Sequence, residues 1–226
     1  MMWWLWAACA TPEVMVQGVV TEARGSEVPL EGASVSLRTW DFAVFEETTT
    51  DAEGVFRVRA PYQDLIHLVI AGDGLIPLAV PGTSGTAEVL TVPEGTLWGF
   101  PEAEEAGWRE EFAGCPGVDA PGLIVGEVRV DAWIDGEYPL DPNGFAFVLD
   151  GEGERRDACY LGEDGRHDPA ADRVGERGRF AIFGVEGGPW TLRVGRRLGD
   201  MSVLGTWTVY VPDGGAVSMH PALIGL

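Results

Sequence analysis

The chain contains no lysine. Every one of its 15 basic residues is arginine, set against 36 Asp and Glu, for a formal charge of −21. So acidic a surface repels phosphate backbones and anionic headgroups, which argues against nucleic acid as a partner. Histidine is nearly as scarce, with only His67, His167 and His220, and cysteine is limited to Cys9, Cys115 and Cys159. No HxxE, HExxH, G-x-S-x-G or phosphate-cradling glycine loop occurs. No Cys/His cluster has zinc spacing. No cofactor and no catalytic set is therefore expected, and His67, mid-strand between Ile66 and Leu68, reads as a structural residue. Long apolar runs are missing too: none approaches the ~20 residues that span a bilayer as a helix.

What the 226 residues do contain is a segment written twice. Glu27-Val28-Pro29-Leu30-Glu31, Gly32 and the alternating Ser34–Leu37 return as Glu137-Tyr138-Pro139-Leu140-Asp141, Gly144 and Phe145–Leu149. Gly54-Val55-Phe56-Arg57-Val58 returns as Gly178-Arg179-Phe180-Ala181-Ile182, and the same offset carries Leu68 to Leu192 and Ile70 to Val194. Short β-branched and aromatic stretches alternate with turn residues drawn from 32 Gly and 15 Pro, the pattern of an all-β chain with few helices. The expected fold is two tandem Greek-key β-sandwiches joined by a short helical linker. The boundaries fall at 14–94 for the first sandwich, 95–122 for the linker and 123–226 for the second, diverged copy. Phe56 and Phe180 should then occupy equivalent buried positions. Leu68 and Leu192 should face the same side of their sheets, and each copy should unfold largely by itself.

Along the first copy, Asp51 to Gly54 is a turn in which the carboxylate can accept backbone N–H groups and glycine can take a positive φ. Leu65–Ala71 is apolar on nearly both faces, as in a strand buried between layers. In the linker, Pro101 can open a helix through Glu102–Glu105, with Trp108 and Phe112 forming an apolar strip at i, i+4. In the second copy the turn aspartate has no counterpart at Gly175, and a polar insertion from Gly162 to Glu176 reads as an exposed loop.

Gly18-Val19-Val20-Thr21, Pro29-Leu30-Glu31-Gly32-Ala33-Ser34-Val35-Ser36-Leu37, Thr50-Asp51-Ala52-Glu53-Gly54-Val55-Phe56 and Leu68-Val69-Ile70 together resemble the carboxypeptidase regulatory-like domain. This is the transthyretin-like sandwich, related to the B-type repeats of collagen adhesins. The resemblance implies a non-catalytic accessory, stalk or binding module. The second copy resembles it more loosely, through Gly178–Val185 and Gly188–Val194.

At the amino terminus, residues 1–13 resemble a lipoprotein signal and tether. Met1–Ala8 is apolar, Ala7-Ala8 precedes Cys9, and polarity switches at Thr11-Pro12-Glu13. The resemblance implies export to the cell envelope with Cys9 as the lipid attachment site, and a membrane contact made only through that anchor. The alternative is a plain apolar tail. With Cys9 lipidated, Cys115 and Cys159 remain as a pair in an oxidising compartment. Their bridge would close a loop of about 44 residues and stabilise by roughly 4 kcal/mol on the chain-entropy account. The alternative is two buried free thiols.

Three further candidates carry binding chemistry. Trp40 and Trp133 fall on the polar parity of their strands, where an exposed indole beside carboxylates can stack on a sugar; Trp40 can equally tuck under a loop. Trp190 and Trp207 fall on the core parity. Asp164, Asp168 and Asp172 recur every four residues in one loop, a weak calcium candidate against a solvated loop. Envelope protein or polysaccharide are the partners these features allow.

Overall fold

The computed structural model describes residues 12–127, 145–151, 153–175, 178–195 and 205–219. The first half opens with β1 (Glu13–Thr21), in which Val14, Val16 and Val20 are buried. β2 (Ser34–Arg38) and β3 (Val44–Thr49) form an antiparallel pair. The turn that follows forms as its residues require. The Asp51 carboxylate accepts the N–H groups of Val55 at 2.8 Å and Glu53 at 3.1 Å, and Gly54 sits at φ 71°. β4 (Val55–Pro61) runs back along β1 and buries Phe56 and Val58. β5 (Leu65–Ala71), β6 (Leu75–Ile76), β7 (Leu78–Thr83) and β8 (Val89–Thr91) complete the half. β9 (Leu97–Trp98) and β10 (Phe100–Pro101) lead into α1 (Glu102–Glu111).

The second half contains β11 (Leu123–Glu127), β12 (Ala146–Gly151), β13 (Glu154–Asp157), β14 (Cys159–Tyr160), β15 (Arg179–Phe183), β16 (Gly188–Gly195), β17 (Gly205–Val211) and β18 (Ala216–Met219). Its strand orders repeat those of the first. β7-β5-β2-β3 recurs as β17-β16-β12-β13, and β4-β1-β8 recurs as β15-β11-β18. The register repeats as well. Gly18 faces Phe56 as Gly126 faces Phe180, and Leu37 pairs with Leu68 as Leu149 pairs with Leu192. Both phenylalanines are 1% exposed.

The halves are nevertheless not self-contained, and here the sequence expectation needs correcting. β18 pairs in parallel with β7, Ala216 against Leu78 and Val217 against Ala79. One eight-stranded sheet, β14-β15-β11-β18-β7-β5-β2-β3, therefore runs through both copies. The cause is edge chemistry: β7 and β18 each border their own sheet, and joining them pairs backbone groups that an edge leaves open. Gly215 permits the approach, since a Cβ there would stand 2.4 Å from the Pro77 carbonyl oxygen.

Three layers result. The central sheet is covered on one face by β4-β1-β8 with α1, and on the other by β13-β12-β16-β17. Period-2 alternation divides its side chains between two cores. Leu68, Leu78, Leu123 and Phe183 enter the first, while Val69, Ala79, Ile124 and Phe180 enter the second. This explains why β5 reads as apolar on both faces: the second copy covers the side that would otherwise meet water.

Candidate functional site

The β2–β3 hairpin tip is built by its own short polar side chains. The Thr39 hydroxyl donates to Asp41 Oδ1 at 2.5 Å, the Ala43 N–H donates to the same oxygen at 3.3 Å, and the Phe42 N–H donates to the Thr39 carbonyl at 2.8 Å. The Thr39 hydroxyl, then the Ala43 amide, hold the Asp41 carboxyl below the usual carboxylate range. Phe42 takes φ 63°, a strained conformation for a bulky residue. That twist carries its ring inward, to 5.3 Å from both His67 and Tyr210, with the Tyr210 ring stacked on it at 23°. Arg38 fixes the tip from below, donating to the Phe42 carbonyl at 2.9 Å while its guanidinium lies 4.8 Å over Tyr210. Phe42 thus clasps the first copy to β17 of the second, and Trp40 is turned outward, 65% exposed. The alternative in which Trp40 tucks under a loop is overturned by that exposure. Trp133 lies outside the described residues, as do Cys9 and His220.

His67 is fully buried on β5. Burial pushes its pKa down to about 4; the Thr208 carbonyl, 3.3 Å from Nε2, opposes this and the Arg38 charge adds to it. It is a neutral core residue. His167 is tied into its loop, its N–H donating to the Glu111 carbonyl at 3.0 Å.

The calcium candidate loses its geometry. Asp164 accepts the N–H of Arg166 at 3.0 Å, Asp168 that of Ala170 at 2.9 Å, and Asp172 faces Arg173 at 3.4 Å. The first two carboxylates close their own turns and the third is held by its arginine neighbour, and no group of three possible metal ligands converges among the described residues. Nor is this loop free in solution: Val174 is buried, and the backbone from Leu161 to Val174 bonds to Tyr160, Glu111 and Phe145.

Cys115 and Cys159 are joined, with Cα atoms 6.1 Å apart across a separation of 44 residues, which sets aside the free-thiol alternative. The bridge ties the segment after α1 to β14. In the same core as Cys115 and Cys159, the Trp108 ring meets two guanidiniums, Arg179 at 3.8 Å from the ring centroid and Arg24 at 5.9 Å. Arg24 belongs to the first copy and pairs with Glu127 of the second; Arg179 pairs with Glu111 of α1. Burial raises the Glu104 carboxyl above its usual range, with Arg24 opposing. Phe112 continues the stack at 5.8 Å from Trp108 and is itself fully buried. The helix is therefore a brace packed on the sheet. Pattern reasoning found its aromatics but missed both arginines, which lie far away in sequence.

Trp190 is buried as its parity required, while Trp207 is half-buried against the second core. A groove of about 320 Å³ lies along β12, β16 and β17, lined by Asp150, Gly151, Pro189, Trp190, Thr191 and Thr208. Its carboxylate is already taken, since Asp150 pairs with Arg193.

No family model matches this chain, and no curated protein matches it. Solved structures do align with it. They include the Bacillus anthracis TIE protein (14% identity, 92% of this chain and 33% of that one, TM-score 0.32). A streptococcal ancillary pilin aligns at 15% identity over 93% of this chain and 63% of its own, TM-score 0.30. The minor pilin GBS52 of Streptococcus agalactiae aligns at 12% identity over 91% and 93%, TM-score 0.26. The chain spans about a third of the length of the first of these and under two thirds of the second.

Proposed function

We propose that the chain is a non-catalytic, exported structural or adhesive module: two Greek-key sandwiches of transthyretin-like type, tethered to the cell envelope by lipid at Cys9. The observation that carries the reading is the cross-braced junction. A merged sheet, a disulfide and an arginine–tryptophan stack hold both copies in one body, as suits a part that bears or presents rather than one that opens around a substrate. The disulfide also supports an oxidising compartment outside the cytoplasm. Expressed from its native start, the protein should enter the detergent phase, and Cys9→Ser should move it to the aqueous phase. Chromogenic ester, peptide and glycoside substrates should be left unchanged. Aqueous partition of the native protein, or turnover of any of these substrates, overturns the reading.

The exposure of Trp40 beside the ionised Asp41 supports a second reading, a carbohydrate-binding module. A glycan array tests it, with Trp40→Ala expected to abolish any signal that the native protein gives.

A further inference from the structure

Six large apolar side chains stand exposed among the described residues: Val28, Trp40, Val44, Phe45, Tyr62 and Val89. Five of them, all but Val28, share one end of the first sandwich. β2 ends there and β3 begins there, with Arg38 paired to Val44, and Trp40 lies in the loop between. β5 begins there, His67 pairing with Arg38. β4 ends there, with Pro61 opposite Glu13 at the start of β1, and Tyr62 follows at once. β8 begins there too, with Val89 opposite Met15. This is also the end at which the chain enters the fold. The Tyr62 N–H donates to the Pro12 carbonyl at 3.1 Å, and Arg59 reaches Glu13 at 3.4 Å and Glu46 of β3 at 3.2 Å.

We infer that this end is a membrane-contact surface, on which Trp40, Phe45 and Tyr62, flanked by Val44 and Val89, rest in the interface of a lipid bilayer. The inference rests on the tether proposed above and adds to it a second point of contact. Pro12 is three residues past Cys9, and three extended residues reach only about 10 Å. An acyl chain on Cys9 therefore holds this end, and no other, against the bilayer. The side chains suit that place: Trp and Tyr favour the headgroup region, where an apolar ring and a polar tip are both accommodated. A protein surface seated in the bilayer interface is a membrane signal separate from the lipid and adds its buried apolar area to the anchor. Here that signal is apolar and not basic, since Glu13, Asp41, Glu46 and Glu88 border the surface against the cation Arg59, which is paired with Glu13 and Glu46. Zwitterionic lipid should accordingly be preferred to anionic lipid.

The test uses the full chain with Cys9→Ser, which cannot be lipidated, in flotation with phosphatidylcholine vesicles. It should float with them, less so when phosphatidylserine is added. The variant that also carries Trp40→Ala, Phe45→Ala and Tyr62→Ala should bind at least about tenfold more weakly. All three positions are exposed, so far-ultraviolet circular dichroism and the urea midpoint should show the same fold, and Trp40→Ala alone should give an intermediate loss of flotation. Equal flotation of both proteins places the contact elsewhere, in the apolar amino-terminal segment, and overturns the inference. So does the absence of flotation, or stronger binding to anionic vesicles. The tether itself is read separately, from the intact mass of the native protein: an unmodified Cys9 there refutes the tether whatever the vesicles show.

Discussion

Each copy lays a phenylalanine across a strand glycine. Phe56 covers Gly18 and Phe180 covers Gly126, and the two contacts differ in tightness. A Cβ at Gly18 would stand 3.0 Å from the Phe56 ring, and one at Gly126 would stand 2.1 Å from that of Phe180. Gly126→Ala should therefore cost about 2–3 kcal/mol, and Gly18→Ala distinctly less, in urea unfolding. The phenylalanines were legible in the sequence because they repeat behind a turn glycine. Their glycine partners were not, because cross-strand register leaves no mark in a single strand's pattern. His67 offers a second residue-scale outcome. Its folded pKa of about 4 lies below the unfolded value, so the neutral form is the one the fold favours. That contribution is fully present above about pH 6.5 and is lost as pH falls toward 4, by roughly 3 kcal/mol at most. His67→Gln should flatten the fall of unfolding free energy over that window, after the shared carboxylate slope is subtracted. An unchanged slope would show that His67 keeps its ordinary pKa in the fold.

At the scale of elements, the helix and the disulfide act together. Pro101 opens α1, three acidic residues occupy its first turn and Glu105 pairs with Arg109 one turn on, all of it readable from local sequence. What could not be read was the surface that α1 meets, because Arg24 and Arg179 come from opposite halves of the chain. Trp108→Ala removes the indole that both guanidiniums cover and should cost about 3–5 kcal/mol. The Cys115→Ser, Cys159→Ser pair should cost up to about 4 kcal/mol, most of it through the unfolded chain. Calorimetry of these variants checks both figures. The β2–β3 hairpin was half legible in the same way. Parity placed Trp40 outward, yet nothing local announced that Phe42 would turn inward to reach Tyr210 of the other copy.

At the scale of the molecule, duplication is the feature that the sequence showed best, and fusion is the one it concealed. Strand order and register repeat because the alternating apolar positions repeat. The join between β7 and β18 depends instead on two edges meeting, and only the double-sided apolar character of β5 pointed toward a further covering layer. The central claim is therefore that two copies of one topology fold as a single cooperative body. Scanning calorimetry of the native protein beside Phe56→Ala and Phe180→Ala tests it most directly. One transition is predicted, with calorimetric and van't Hoff enthalpies equal, and either substitution should shift the whole of it by about 3–5 kcal/mol. Two resolved transitions, each moved only by the phenylalanine of its own copy, would contradict the account.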